Sequence, residues 1–284
     1  MTPRPRKASA VPAGLLREVR ASALRGEPLL AAFDFDGVLS PIRRFPGQAR
    51  MSDRTRSLLK RLGEAKRTRT LIVSGRALRF LRRAAAGTGA ALAGDHGLEF
   101  EGMGPPWKHP ALDELARHAR ALARAARKAT KRLKGVAVEL KTATVSVHWR
   151  RAPSVRRDPE PLRALLESLA PPGWRVAPGL MLWELRPLVA WGKGHLIEYA
   201  QAGLGARILF VGDDHTDEEG FRRLGREAWC VRVGPGETSA RWRLHGVEAV
   251  DELLTAALEA RLQVEAAPAG RARERSSTRR APQR

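Results

Sequence analysis

Two aspartates, Asp34 and Asp36, close the apolar run of LLAAFDFDGVLS one residue apart. Along a strand, residues i and i+2 point to the same side. Carboxylates so placed can serve one phosphorus atom, one attacking it and the other handling the proton. Two more apolar runs end in polar groups: TLIVSGR in Ser74, and RILFVGDD in Asp213 and Asp214. Lys193, in WGKGHL, opens a helix. Several carboxylates in one crevice cannot all stay ionised without a cation. No histidine or cysteine is placed to make a zinc site, and an all-oxygen set with room for water suits Mg2+. The lysine and the Ser74 hydroxyl would hold the remaining phosphate oxygens. The set reads as a phosphoryl-transfer site: a carboxylate nucleophile, a neighbouring carboxylic acid, a metal and a positive clamp. Each motif is common in ordinary turns, and it is their order at successive strand ends that carries the reading.

For these groups to meet, the runs that carry them must be strands of one sheet, because ligands of parallel α/β sheets bind beyond the carboxyl ends of the strands. Leu29–Phe33 reads as a strand buried on both faces. Ser52 caps a helix closed by Gly63, with Leu58, Leu59 and Leu62 as its apolar positions. Residues 70–76 form a second strand and turn, and ALAGDHGLEF supplies a third strand before a glycine-bounded loop. GMGPPWKHP, residues 102–110, reads as a linker. After it, Leu112, Leu115, Ala119, Leu122, Ala126, Ala129 and Leu133 mark an amphipathic helix with a basic outer face. GVAVEL and TVSVHW form a hairpin turning at Lys141 and Thr142, followed by a helix at 159–169 and the strands GWRVA and LMLWEL. The βα alternation resumes after Pro187. The expected fold is therefore α/β, a Rossmann-like parallel sheet core at 27–106 and 188–264 with an inserted α+β cap domain at 107–187. A flexible N-terminal arm leading into a short helix is expected at 1–26 and a disordered basic tail at 265–284.

The 284 residues carry a net charge of +22, which raises a polyanion-binding hypothesis. The final stretch AAPAGRARERSSTRRAPQR holds six arginines against one glutamate, and residues 117–134 hold eight Lys and Arg and no acid. These stretches lack the interleaved aromatics that stack single-stranded nucleic acid. Nucleic-acid binding is expected only as weak electrostatic attraction through the tail. No apolar run approaches the roughly 18 residues that span a bilayer, so no membrane partner is expected. The N-terminus lacks the apolar core of a signal peptide, and the single cysteine, Cys230, excludes an intrachain disulfide. A cytoplasmic protein is expected.

DFDGVLSPI, VSGR, the lysine of GKG and GDDHTDE resemble, in order, the four motifs of the haloacid dehalogenase-like phosphatases. GDHGLEF, VELKTATVSVHWR, LMLWELRP and GDDHTDEEGF resemble strings of the trehalose-6-phosphate phosphatase family. The resemblance runs from about residue 29 to 225. It implies a core of the haloacid dehalogenase type and magnesium-dependent hydrolysis of trehalose 6-phosphate to trehalose and phosphate. Asp34 would attack phosphorus and become an aspartyl phosphate. Asp36 would protonate the leaving sugar oxygen, then take a proton from the hydrolytic water. Ser74 and Lys193 match phosphate-holding residues, with Gly75 and Arg76 of the same loop assigned to the substrate. Asp34, the main-chain carbonyl of Asp36, and Asp213 match magnesium ligands, with Asp214 assigned beside them and Asp217 in support. Glu139, Lys141, Arg150 and Glu184 of the cap, with His96 of the core, are the implied sugar contacts. Trp149, Trp183 and Trp191 read as packing. Val38, Asp95, Trp149 and Gly192 depart from the residues usual at their positions, and none removes a catalytic group. The implied partners are a small-molecule sugar phosphate and, by functional coupling, a trehalose-6-phosphate synthase. The rivals are a phosphatase of another phosphorylated disaccharide or glycosyl-polyol, and a non-catalytic nucleic-acid-binding protein.

Overall fold

The computed structural model describes residues 10–43 and 46–266. The first half of the large sheet is built from α1 (Ala13–Leu24), β1 (Leu29–Phe33), α2 (Asp53–Glu64), β2 (Thr68–Val73), α3 (Leu78–Ala84), β3 (Ala91–Gly94), β4 (Glu99–Glu101) and β5 (Trp107–Lys108). The inserted unit follows: α4 (Leu112–Thr130), β6 (Ala137–Leu140), β7 (Val145–His148), α5 (Pro153–Arg157), α6 (Glu160–Leu169), β8 (Trp174–Gly179) and β9 (Leu182–Pro187). The chain then returns to the large sheet through α7 (Lys193–Ala202), β10 (Arg207–Gly212), α8 (His215–Leu224), β11 (Trp229–Val233), β12 (Trp242–Leu244) and α9 (Val247–Ala266).

The large sheet runs β12-β11-β10-β1-β2-β3-β4-β5, parallel from β12 through β3 and antiparallel at β4 and β5. All five residues of β1 are buried. Leu29, Ala31 and Phe33 pack with Leu15 and Val19 of α1, Leu59 of α2 and Leu253 of α9, while Leu30 and Ala32 face Leu196 of α7 and Phe221 of α8. Burial on both faces is why LLAAF is continuously apolar rather than alternating. β1 pairs with β2 on one side and β10 on the other, so the strand order reverses there. The crevice at such a reversal is where open α/β sheets bind ligands, and Asp34 is the first residue beyond β1.

The inserted unit is a four-stranded antiparallel sheet, β6-β7-β9-β8, with α4 and α6 on one face. α4 buries Leu115, Ala119, Leu122 and Ala126 against Val145, Val147 and Leu185 of that sheet.

Several expectations are corrected. The short helix into which the arm at 1–26 leads is α1, residues 13–24, and it is no part of a free arm: its Leu15, Val19 and Ala23 are buried in the core that α9 also lines. Residues 1–9 lie outside the described residues. Ser52 does cap α2, accepting from the Thr55 N–H at 3.0 Å, but the helix passes through Gly63 and ends at Glu64. The stretch read as a loop and linker extends the large sheet: Phe100 pairs with Ala93 and with Trp107. Trp107 and Lys108, read as the start of the cap, are therefore an edge of the core sheet. The strand β12 was not anticipated, being three residues long. α9 continues to Ala266, and the rest of the basic tail, 267–284, lies outside the described residues.

Candidate active site

The turn after β1 is closed by Gly37, whose N–H donates to the Ser40 carbonyl at 2.8 Å and whose φ is +78°. A side chain there would also collide with Asp213, since a Cβ would lie 2.0 Å from Asp213 Oδ2. Glycine thus lets the tips of β1 and β10 come together. Asp34 is buried; its Oδ2 is 3.3 Å from Lys193 Nζ, and its Oδ1 has no hydrogen-bond partner among the described residues. Asp34, Asp213 and Asp217 each offer a carboxylate oxygen within 4.8 Å of one another.

These carboxylates are not equivalent. Asp217 accepts from Lys193 Nζ at 2.7 Å through Oδ1, and from the Asp213 and Asp214 N–H groups at 2.9 and 3.1 Å through Oδ2. Both of its oxygens are engaged, so it orients Lys193 and the tip of β10. Asp214 caps α8: its Oδ1 accepts from the N–H groups of Thr216 and Asp217 at 2.8 and 3.0 Å and from the Thr216 hydroxyl at 2.7 Å. Burial raises the Asp34 carboxyl to about 6 against the pull of Lys193. Burial, then the nearby charges of Asp34 and Asp214, raises Asp213 well above the usual range. The Lys193 ammonium is 1% exposed; burial disfavours its charge, but Asp214, Asp217 and Asp34 more than reverse this. Four carboxylates crowd one ammonium in an all-oxygen pocket, where they cannot all stay ionised without a further cation, and one Asp34 oxygen has no partner among the described residues. That donor set fits a hard divalent cation.

Ser74 ends β2 and is buried, its N–H bonded to the Ala93 carbonyl at 2.9 Å. Gly75 is needed for a second close approach, because a Cβ there would lie 2.5 Å from the His96 ring. Arg76, expected to touch substrate, instead forks Asp36: Nε and Nη2 donate to the two carboxylate oxygens at 2.7 Å each. Its guanidinium lies 4.7 Å from the Phe80 ring centre. This bidentate grip fixes the Asp36 side chain.

The inserted unit supplies the facing wall. Glu184 on β9 accepts from Lys141 Nζ at 2.6 Å and, at 3.3 Å each, from the hydroxyls of Thr144 and Ser146. His96 Nε2 lies 3.0 Å from its other oxygen. Burial favours a neutral Glu184, yet Lys141 and His96 hold it well below the usual carboxylate range. Burial also lowers the His96 imidazole to about 4 despite Glu184. A neutral ring beside an acceptor-only carboxylate must carry its proton on Nε2. Glu139 bonds to His148 Nε2 at 2.8 Å rather than to Lys141, and Arg150 Nη1 donates to the Arg43 carbonyl at 3.0 Å.

Asp34, Asp36, Ser74, Gly75, Arg76, His96, Glu139, Lys141, Arg150, Glu184, Asp213 and Asp214 all line one cleft of about 1190 Å³. Lys193 does not line it and stands behind Asp34. Trp183 and Trp191 donate to the carbonyls of Pro159 and Gly97 and serve packing. His148 and Asp95 went unassigned by the sequence. The signal for His148 was its place two residues beyond Ser146 on the same strand face, toward Glu139. Asp95 stood out as a charge directly after the buried run ALAG and as a departure from the residue usual at its position, without a role.

A parallel sheet with paired aspartates at its point of strand reversal, a buried lysine behind them and an inserted antiparallel cap defines a phosphohydrolase of the haloacid dehalogenase type. A haloacid dehalogenase-like hydrolase from Bacteroides thetaiotaomicron shares the fold, with a TM-score of 0.56 at 14% identity over 81% of this chain and 99% of that one. The chain belongs to the trehalose-phosphatase family, whose model matches residues 32–247, and it is a phosphoric monoester hydrolase. It is 30% identical to trehalose 6-phosphate phosphatase RA3 of Zea mays, over 88% of this chain and 78% of the relative. The C-terminal domain of a trehalose-6-phosphate phosphatase from C. albicans has the same fold, with a TM-score of 0.76 at 23% identity, covering 88% of this chain and 99% of that one. No helix among the described residues is long and apolar enough to cross a membrane.

Proposed function

We propose that this chain hydrolyses trehalose 6-phosphate to trehalose and phosphate through an aspartyl phosphate on Asp34. The observation that carries the reading is the arrangement of the cleft: Asp34 with an unpartnered oxygen on the core side, and the Lys141–Glu184–His96 cluster on the facing wall. Asp34 attacks phosphorus, and the P–O bond to the sugar breaks. Asp36, which Arg76 forks in this structure, enters the reaction released from that grip and protonated; it gives its proton to the departing sugar oxygen and, as the resulting carboxylate, removes one from the water that opens the acyl phosphate. Ser74 holds a phosphate oxygen, and Lys193 holds Asp34 in place for the attack. Asp34, Asp213 and the Asp36 carbonyl, with Asp214 beside them, would hold Mg2+, which would offset the clustered negative charge and attract phosphate oxygens. Charged and hydroxyl-bearing groups on the cap wall suit a leaving group rich in hydroxyls. A cytoplasmic setting and functional coupling to a trehalose-6-phosphate synthase, the class of enzyme that forms the substrate, belong to the same proposal.

The test is steady-state phosphate release with Mg2+ across a panel of sugar phosphates. Trehalose 6-phosphate should give the highest kcat/KM. Equal or better turnover of another phosphorylated disaccharide or a glycosyl-polyol phosphate would transfer the assignment to that substrate.

A further inference from the structure

Asp95 is fully buried between the core and the inserted unit. Its two carboxylate oxygens accept the two main-chain N–H groups at the tip of the β6–β7 hairpin, Thr142 N at 3.1 Å and Ala143 N at 3.0 Å. An ionised carboxylate is an acceptor-only group with two oxygens, so it suits this pair of donors. The turn is closed on itself by Lys141 N–H to the Thr144 carbonyl at 3.0 Å. A second clasp lies beside it, Thr142 Oγ1 donating to Glu99 at 2.6 Å. On the core side, Asp95 N–H donates to the Arg76 carbonyl at 2.8 Å and His96 N–H to the Ser74 carbonyl at 3.0 Å. Asp95 and His96 both hold positive φ, 45° and 57°, a conformation that costs energy for residues with a Cβ. The hairpin tip is thus held by the Asp95 carboxylate, and the phosphate-side loop by the main-chain N–H groups of Asp95 and His96 at the same strained corner. The neighbour of the clasped tip is Lys141, which reaches Glu184.

We infer that Asp95 is a positioning residue for the sugar end of the substrate: it clasps the hairpin tip to the core and thereby sets Lys141 and Glu184 over Asp34. The inference rests on the reading of the cleft as a sugar-phosphate site. The hydrogen bonds of the Asp95 carboxylate go to the hairpin tip of the cap, so the loss of that carboxylate acts through the cap groups. Burial raises the Asp95 carboxyl to about 6 against the pull of the two N–H groups and Lys141, so at pH 8 it is ionised and the clasp is complete.

The experiment compares wild type, Asp95→Ala and Asp95→Asn at pH 8 with Mg2+, on trehalose 6-phosphate and on p-nitrophenyl phosphate. The aryl ester has no hydroxyls for the cap to read. Asp95→Ala leaves both N–H groups without an acceptor. Asp95→Asn keeps one acceptor but turns an NH2 toward the other donor, so it should fall between wild type and alanine. For alanine, kcat/KM on the sugar phosphate should fall by roughly 10- to 100-fold, the scale of a small misplacement remote from the chemistry. Most of that fall should appear in KM. The aryl ester should change by no more than about twofold, within ordinary surface-mutation effects. Amide exchange gives an activity-independent readout, in which Thr142 and Ala143 should both lose protection in Asp95→Ala and only one of them in Asp95→Asn. Equal losses on the two esters, or unchanged kinetics, overturn the inference, as does full protection of the two amides in Asp95→Ala. A wild type that prefers another sugar phosphate sinks the trehalose reading alone, and the same comparison on the preferred sugar then decides the clasp.

Discussion

At the scale of single residues, the site separates into groups that react and groups that hold them. Asp34 has one oxygen near Lys193 and one without a hydrogen-bond partner among the described residues. Asp217 has both oxygens engaged. On the proposed mechanism, replacing Asp34 by asparagine keeps the shape and removes the attacking carboxylate. Phosphate release should fall by roughly 10⁴-fold or more, with the urea midpoint unchanged or higher, because burial disfavours the charge that is lost. A variant with near-normal turnover would rule out Asp34 as the attacking group. His96 yields a pH prediction. Its folded pKa is lowered by burial to about 4, against about 6.5 unfolded. The stabilisation from the neutral ring is therefore present above pH 6.5 and lost as pH falls toward 4, to the extent of about 3 kcal/mol. Asp34 and Asp95, raised to about 6, act in the opposite sense, so the wild-type curve alone mixes the contributions. The difference between wild type and His96→Asn isolates the ring. The variant's stability deficit at pH 7 should shrink by about 3 kcal/mol at pH 4 in urea denaturation, and a deficit independent of pH would contradict the lowered pKa.

At the scale of elements, short connections do most of the positioning. The turn after β1, the tip of β10 and the capping box at the start of α8 bring three aspartates from two strand ends into one pocket. Gly37 stands where the two tips cross. Gly37→Ala would force a Cβ into a positive-φ residue, at roughly 1–2 kcal/mol, and push Asp213 aside. The Mg2+ concentration for half-maximal activity should rise several-fold, and thermal stability should drop. If the magnesium titration is unmoved, Asp213 is not a ligand. The helix α4 illustrates how legible an isolated element can be: of its expected apolar stripe, Leu112, Leu115, Ala119, Leu122 and Ala126 are buried, whereas Ala129 is exposed and Leu133 lies beyond the helix end at Thr130. β4, β5 and β12 illustrate the opposite. At three, two and three residues they are too short for periodicity to register, and they exist because an edge of the sheet was available to pair with.

At the scale of the molecule, the cap and core meet through polar contacts around the cleft: Asp95 to the hairpin tip, His96 to Glu184, and Glu219 on α8 to Arg175 on β8 at 2.9 Å. On the proposed function the clustered aspartates hold a divalent cation only in the folded state, and a ligand bound only by the native state stabilises it by about 2.7 kcal/mol at a hundredfold excess over Kd. Chelation should therefore abolish phosphate release and lower Tm, and added Mg2+ should restore both. A Tm indifferent to chelator and Mg2+ would argue against a site formed by folding. The residues by themselves determined the α/β class, the inserted antiparallel unit, and the polar groups at the strand tips. Those signals are local: an apolar run ends, a polar group follows, and the next run repeats the pattern. Only the tertiary structure decided that Arg76 grips Asp36, that Asp217 is saturated while Asp34 keeps a free oxygen, and that Asp95 reaches the cap. The residues in the Arg76 and Asp95 contacts lie 40 and 47 positions apart. Whether such side chains meet depends on how separate elements pack, which no local pattern of residue types encodes.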